Sequence, residues 1–485
     1  MRDIADRTAL DLAAAIRGRE VGSRELLEHF LARVERRNPK LNAVVTLDVE
    51  RARERADEAD RALARGETRG PLHGLPMTIK DTFETAGIRT TAGAPTLSSH
   101  VPSRDATAVA RLIAAGAIVF GKTNVPLFAG DLQSYNAIFG ATNNPWDVAR
   151  SPGGSSGGAA AALAAGLTPL ELGSDLGGSI RNPAHYCGVY GHKATYGVIP
   201  MRGHIPGPPG TLADADLGVA GPLARDAADL GAALDVLAGP DETRAVAWKL
   251  ALPPPRRRVL RDYRVVAWLD DPAATIDAEM REIFESVAER LRRASVRVDD
   301  RARPVADLRE VQRNYQKLMW PIVASGLSDE QFAGYVRAAE SASVDDSSRD
   351  ALFARGATVR HRDWLRLDEW RTSYRARWAE LFRDFDVVLC PIMPTTALPH
   401  DHGEPMAARK IVVNGEPRAY WDQLVWAAAI TTAYLPSTVA PVGRTRSGLP
   451  VGLQIVAPYL EDRTSIDFAR RLADVAGGFE PPPGF

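Results

Sequence analysis

The sequence predicts an α/β protein built on a largely parallel or mixed sheet, and three observations carry that reading. From Leu75 onward, short apolar runs alternate with stretches of helical spacing. Glycines stand where each helical stretch must stop, at Gly116 and Gly166, just before the next apolar run. The chain of 485 residues is too long for a single small module but suits one large continuous core.

The elements follow in order. The first fifty residues read as helical, with Ser23 placed to cap a helix whose apolar face is Leu26, Leu27, Phe30, Leu31 and Val34. That helix is expected to end before Pro39. Leu75-Pro76-Met77-Thr78-Ile79 reads as an inner strand ending at Lys80. Residues 105–115 have helical spacing at Val109, Leu112 and Ile113, and Ala117-Ile118-Val119-Phe120 follows as a buried strand. Residues 157–165 form an Ala-rich helix, and Leu170-Glu171-Leu172 begins the next strand. Near Gly239 a second region starts, with Pro253-Pro254-Pro255 and Arg256-Arg257-Arg258 as an exposed connector. Residues 263–269 read as a strand, and Ile276, Met280, Ile283, Phe284, Val287 and Leu291 mark one face of a long helix. In the charge-rich, aromatic stretch 300–384, Leu367, Trp370, Tyr374, Trp378 and Leu381 form a packing stripe. Residues 386–390 return to the sheet. The expected organisation is an N-terminal helical segment (1–70), a core with the candidate chemistry (71–238), a variable region (239–385) and the C-terminal part of the core (386–485), together one continuous domain.

Composition excludes several classes. Sixty Lys plus Arg against sixty-one Asp plus Glu give a net charge of −1, no electrostatic footprint for nucleic acid or an anionic membrane. Two cysteines, Cys187 and Cys390, exclude a disulfide scaffold and fit a reducing, cytoplasmic compartment. Residues 424–443 carry no charge, but Thr431, Thr432, Pro436, Ser437 and Pro441 argue for a buried segment rather than a membrane span. The opening Met1-Arg2-Asp3-Ile4 shows no signal peptide.

The informative stretch is Ser151-Pro152-Gly153-Gly154-Ser155-Ser156-Gly157-Gly158, followed by Gly173-Ser174-Asp175-Leu176-Gly177-Gly178-Ser179-Ile180-Arg181. Glycines in both segments allow close approach of a ligand to peptide N–H groups. Ser155 and Ser156 open the Ala-rich helix, where free N–H groups favour developing negative charge. Ser179 sits in a second Gly-flanked turn suited to stabilising an oxyanion. A serine nucleophile needs a base, and no Gly-x-Ser-x-Gly elbow is present. The candidates are His185 or His192, each more simply read as a structural histidine, and Lys80, which would need burial to keep it neutral and on composition alone is more simply a surface lysine at a strand end.

At these residues the chain resembles the amidase signature family, the Ser–cis-Ser–Lys hydrolases that cleave carboxamide bonds. The resemblance covers Gly74 through Asp81, Gly121-Lys122-Thr123-Asn124, Asn144-Pro145-Trp146, residues 152–188 and Gly448-Leu449-Pro450-Val451-Gly452-Leu453-Gln454. It implies a central mixed β-sheet flanked by helices on both faces. It assigns Lys80 as general base, Ser179 as nucleophile and Ser155 as the bridging serine after a cis peptide bond. The N–H groups of Leu176, Gly177, Gly178 and Ser179 would hold the oxyanion, with Ser156, Asp175 and Arg181 in support. The chain departs from the family pattern at His192 and Ala194, where an apolar residue and a proline are common. The implied substrate is a small or aryl amide, with esters and carbamates as further possibilities, and no cofactor, metal, nucleic acid or membrane is expected; a homodimer is compatible. Tyr135, Trp320 and Trp364 are candidate pocket walls, though each also suits core packing. The alternative is a glutamine-amidase subunit of a transfer-RNA amidotransferase.

Two motif matches fail on physical grounds. Gly116 to Thr123 fits the phosphate-loop pattern, but its middle is itself strand-like and Pro126 weakens a following helix. His400-Asp401-His402 lacks a third metal ligand.

Overall fold

The computed structural model describes residues 4–304, 307–343, 345–346 and 348–485. Met1, Arg2 and Asp3, on which the expectation about a leader rested, lie outside them. The first half supplies β1 (Val44–Leu47), β2 (Pro76–Lys80), β3 (Ile118–Thr123), the hairpin β4 (Tyr135–Asn136) and β5 (Gly140–Ala141), β6 (Leu170–Asp175), β7 (Tyr190–Lys193) and β8 (Val219–Ala224). The second half supplies β9 (Arg264–Ala267), β10 (Arg297–Asp299), β11 (Val387–Cys390), the hairpin β12 (Lys410–Val413) and β13 (Glu416–Ala419), β14 (Ser437–Arg444) and β15 (Pro450–Val456). Apart from the two hairpins, these strands share one sheet in the order β1-β3-β2-β6-β8-β7-β14-β15-β11-β9-β10. Parallel pairs, β3–β2–β6 on one side and β11–β9–β10 on the other, enclose an antiparallel middle. The sheet is mixed, as expected.

Helices cover this sheet: α1 (Ala9–Arg17), α2 (Ser23–Leu41), α3 (Val49–Ala64), α4 (Thr107–Ala114), α5 (Gly157–Ala164), α6 (Arg181–Cys187), α7 (Ala227–Leu237) and α8 (Ala278–Arg293). An all-helical excursion follows, α9 (Leu308–Ala324), α10 (Asp329–Ser341), α11 (Arg349–Ala357) and α12 (His361–Asp384), before α13 (Leu424–Thr432) and α14 (Asp462–Ala476). Every residue of β2, β3, β6 and α5 is buried, including the charged Lys80, Lys122, Glu171 and Asp175 at or near the strand ends. The small side chains of α5 allow an unusually close seat. A Cβ at Gly158 would lie 2.3 Å from the Asn124 backbone nitrogen.

Several local expectations change. Gly22, not Ser23, occupies the cap position of α2, and Asp60 of α3 accepts from the Ser23 and Arg24 N–H groups at 2.7 and 3.0 Å. The Ser23 hydroxyl instead donates to the Gly74 carbonyl at 2.6 Å. The helix runs past Pro39 to Leu41 because a proline in the last turn removes only one helical N–H. Within the supposedly helical first segment, Val44–Leu47 is an edge strand antiparallel to β3, a pairing with residues about eighty positions away that no local pattern announces. The strand expected at 263–269 is confined to Arg264–Ala267. The uncharged 424–443 stretch is buried helix α13 followed by β14, and no helix among the described residues is long and apolar enough to cross a membrane.

Most buried apolar residues belong to one core around the sheet. A second, smaller cluster (Leu132, Leu217, Tyr315, Leu318, Leu424 and Ala428) lies where α9 and α13 approach the loop after β6.

Candidate active site

Lys80 ends β2 with its side chain wholly buried. Its Nζ lies 2.7 Å from Ser155 Oγ and 2.9 Å from Ser174 Oγ, with the Ser174 carbonyl at 3.4 Å. Burial pulls the lysine down to about 7, against the carboxylates of Asp175 and Glu171, which favour its charged form. Glu171 is itself raised to about 8 by burial and bonded to Thr78 Oγ1 at 2.5 Å, so near neutrality it is mainly protonated. Near neutral pH the amine is therefore deprotonated in a substantial fraction of molecules, beside two serine hydroxyls.

Ser155 follows a cis peptide bond from Gly154. The preceding loop lies against residues 131–134. A Cβ at Gly154 would fall 2.6 Å from Gln133 N, and the Ser134 hydroxyl donates to the Gly153 carbonyl at 3.0 Å while accepting from Gly157 N at 3.0 Å. Ser156 docks this loop onto the second one. Its N–H donates to the Ser179 carbonyl at 3.0 Å and its hydroxyl to the Ser174 carbonyl at 3.3 Å.

The 175–181 turn is held by a buried ion pair. Arg181 Nη2 and Nε donate to the two Asp175 oxygens at 2.8 and 3.0 Å, and both side chains are fully buried. Burial alone would raise the Asp175 carboxyl, but Arg181 and the turn N–H groups hold it well below the usual carboxylate range. Gly178 N donates to Asp175 Oδ1 at 2.9 Å and Ile180 N to Oδ2 at 3.0 Å. The remaining Arg181 donors reach Gln454 Oε1 at 2.7 Å and Thr431 Oγ1 at 2.8 Å.

Ser179 is half-buried at the mouth of this turn. Among the described residues, the N–H groups of Leu176, Gly177 and Ser179 have no acceptor, whereas that of Gly178 is engaged by Asp175. Of the four oxyanion donors expected, Gly178 therefore already serves the ion pair that shapes the turn. The other three remain available.

The histidines are placed elsewhere. His185 lies between the Thr395 carbonyl and Gly452 N, at 3.0 and 2.7 Å, and burial takes it down to about 4. His192 bonds to Thr438 Oγ1 and Asp462 Oδ1 at 2.9 and 3.2 Å, tying β7 to β14 and α14. The departure at His192 thus belongs to the joint between sheet and C-terminal helix. Trp320 packs edge-on against Phe353, and its ring would be 2.1 Å from a Cβ at Gly356, so it fills the α9–α11 contact. Tyr135 stacks on His402 at 3.9 Å and accepts from Arg409 through its hydroxyl at 2.6 Å. Trp364, partly exposed, packs on the second apolar cluster.

Gly116 to Thr123 ends inside β3 with no helix opening there, and the buried Lys122 amine donates to the Phe83 carbonyl and to Thr85 Oγ1 at 2.9 Å. Among the described residues no three His, Cys, Asp or Glu converge to hold a metal.

Sequence reasoning missed Ser174, Tyr315, Thr431 and the role of Gln454. Ser174 was within reach, since pairing Thr78 with Glu171 brings the ends of β2 and β6 together. Tyr315, whose hydroxyl bonds to the Leu176 carbonyl at 3.1 Å, carries no local signal.

A family model described as Amidase matches residues 25–466. A glutamyl-tRNA(Gln) amidotransferase subunit of Anaeromyxobacter sp. (strain K) is 32% identical over 502 residues, spanning 98% of this chain and 97% of that protein. Its counterpart of the same name from Roseiflexus sp. (strain RS-1) is 33% identical over 494 residues, 96% of each. Among solved structures, 6-aminohexanoate cyclic dimer hydrolase complexed with substrate matches with a TM-score of 0.79 at 27% identity over 99% of each chain. A bacterial aryl acylamidase of the amidase signature family shares the fold, with a TM-score of 0.81 at 21% identity over 99% of each chain.

Proposed function

This chain belongs to the amidase family and acts on amide C–N bonds, and we propose that it hydrolyses small apolar or aryl carboxamides through an acyl-enzyme on Ser179. The observation that carries the reading is the buried Lys80 amine, lowered to about 7, at 2.7 Å from the Ser155 hydroxyl. As Ser179 Oγ bonds to the acyl carbon, its proton passes to Ser155, and the Ser155 proton passes to Lys80 Nζ. The N–H groups of Gly177 and Ser179, with Leu176 beside them, receive the oxyanion. When the C–N bond breaks, the leaving amine takes a proton back by the same route. Water then bonds to the acyl carbon as it gives a proton to the same base, and that proton returns to Ser179 Oγ as the acyl–oxygen bond breaks and the acid leaves.

An apolar acyl group is part of this reading, because the second, buried apolar cluster packs against Leu176, close in the turn to Ser179. Arg371, whose guanidinium lies over the Trp364 ring, bonds to Asp216 at 2.8 Å and to Asp368. A substrate carboxylate would have to break an existing ion pair to reach it. Esters and carbamates with good leaving groups present the same carbonyl to the same donors and should also react.

The names of the amidotransferase relatives favour a second reading, a glutamine-amidase subunit working within an assembly. Assaying the purified chain alone with an anilide, an aliphatic amide and glutamine separates the two. Anilide turnover, its loss in Ser179→Ala, and a fluorophosphonate adduct on Ser179 support the first. Turnover of glutamine alone, and only with another protein present, replaces it.

A further inference from the structure

We propose that Tyr315 is a positioning residue for the oxyanion site: its hydroxyl, donating to the Leu176 carbonyl at 3.1 Å, fixes the Leu176–Gly177 peptide plane so that the Gly177 N–H faces the attacked carbonyl. This rests on the acyl-enzyme reading above. A trans peptide is planar, and its C=O and N–H point in opposite directions. Anchoring the Leu176 oxygen on α9 therefore aims the Gly177 N–H away from α9. That N–H has no acceptor among the described residues, while the next one, of Gly178, is held by Asp175. The two ends of the short turn are thus fixed by different partners, Asp175 from the sheet and Tyr315 from the helical excursion.

Sterics support the same assignment. A Cβ at Gly177 would lie 2.9 Å from Tyr315 Oη and 3.1 Å from Leu424 Cδ2. Glycine at 177 lets the hydroxyl come close enough to bond to the preceding carbonyl. Tyr315 is fully buried, and burial pushes its phenol up, so it stays a donor across the working pH range. One turn on, Leu318 is buried in the same apolar cluster as Tyr315, which fixes α9 in place beside the turn.

The test is Tyr315→Phe, which removes the hydroxyl and keeps the ring. For an anilide substrate, kcat should fall about tenfold to hundredfold, below the ~10²–10³ cost of deleting an oxyanion donor outright, with KM changed less than about threefold. Affinity for an arylboronic acid, which forms a tetrahedral anion on the serine, should fall in parallel with kcat. Gly177→Ala should be nearly inactive, and Tyr315→Phe should restore part of its activity by removing the 2.9 Å collision. An unchanged kcat in Tyr315→Phe, an effect confined to KM, or no recovery in the double variant would overturn the proposal. Fluorophosphonate labelling separates the two levels. A label on Ser179 together with an unchanged kcat in Tyr315→Phe defeats only the role of Tyr315, while a label on another serine defeats the acyl-enzyme reading itself.

Discussion

In the 173–181 turn the charged side chains of Asp175 and Arg181 are buried and partnered, which leaves the N–H groups of Leu176, Gly177 and Ser179 open, whereas along the excursion from α9 to α12 much of the surface faces solvent. Asp175 alone accepts from Gly178, Ile180 and Arg181, and Arg181 extends the network to Gln454 and Thr431. By contrast, α10 has no buried residue, and Val323, Phe332 and Leu365 are exposed. Removing one member of the first network leaves a buried charge unmatched, so the turn tolerates little change. The second is largely exposed and has fewer such constraints. On the proposed mechanism, rigid chemistry and adaptable selection fall to different parts of one chain, joined by the bond from Tyr315 to Leu176.

The sharpest way to break this division is Lys80→Ala. It should slow amide hydrolysis by about 10²–10⁴-fold, the usual range for losing a general base, and slow an activated ester much less. Burial depresses Lys80 from its ordinary 10.5 to about 7, and the proposed mechanism uses the neutral amine. In the wild type kcat/KM should therefore rise with pH through about 7 to a plateau, and a pH–rate profile of the variant should lack that limb. An unchanged limb would place the base elsewhere.

Asp175→Asn comes next. It strands the Arg181 guanidinium in a fully buried site, so urea unfolding should show a loss of about 3–5 kcal/mol, accompanied by loss of turnover. A change under about 1 kcal/mol would mean that the turn is held by other contacts.

The smallest effect is expected in the second region. Trp364→Ala should change KM for a bulky anilide by about tenfold, roughly the contribution of one aromatic wall, and leave kcat for a minimal amide within about twofold. Comparable losses on both substrates would show that the excursion belongs to the chemistry rather than to selection.

The legible part of this site is its glycine-rich backbone. Ser155, Ser156 and Ser179 stood out because consecutive glycines around small polar residues are rare beside a buried helix and strand, whereas Lys80, a candidate at the end of its run, was assigned as the base only by the family resemblance. The strands β2, β3 and β11 announced themselves through short apolar runs, and β6 through its place after the glycine that stops α5. Ser174 and Tyr315 did not, because a serine in a strand and a tyrosine in a helix are ordinary locally. Ser23 misled for the same reason: a good capping residue was displaced by Asp60, whose nearness depends on how α3 packs against α2.

The sequence by itself determined the alternation of strands and helices, the glycine turns that admit a ligand to the backbone, and the residue types of the candidate chemistry, since each rests on neighbours within a few positions. Only the tertiary structure decided that Lys80 is dehydrated, that Gly178 is committed to Asp175 while Gly177 is free, and that Arg371 is already neutralised. Those outcomes depend on desolvation and on partners tens to hundreds of residues away, which come into contact only when the sheet closes and α9 lies across the turn.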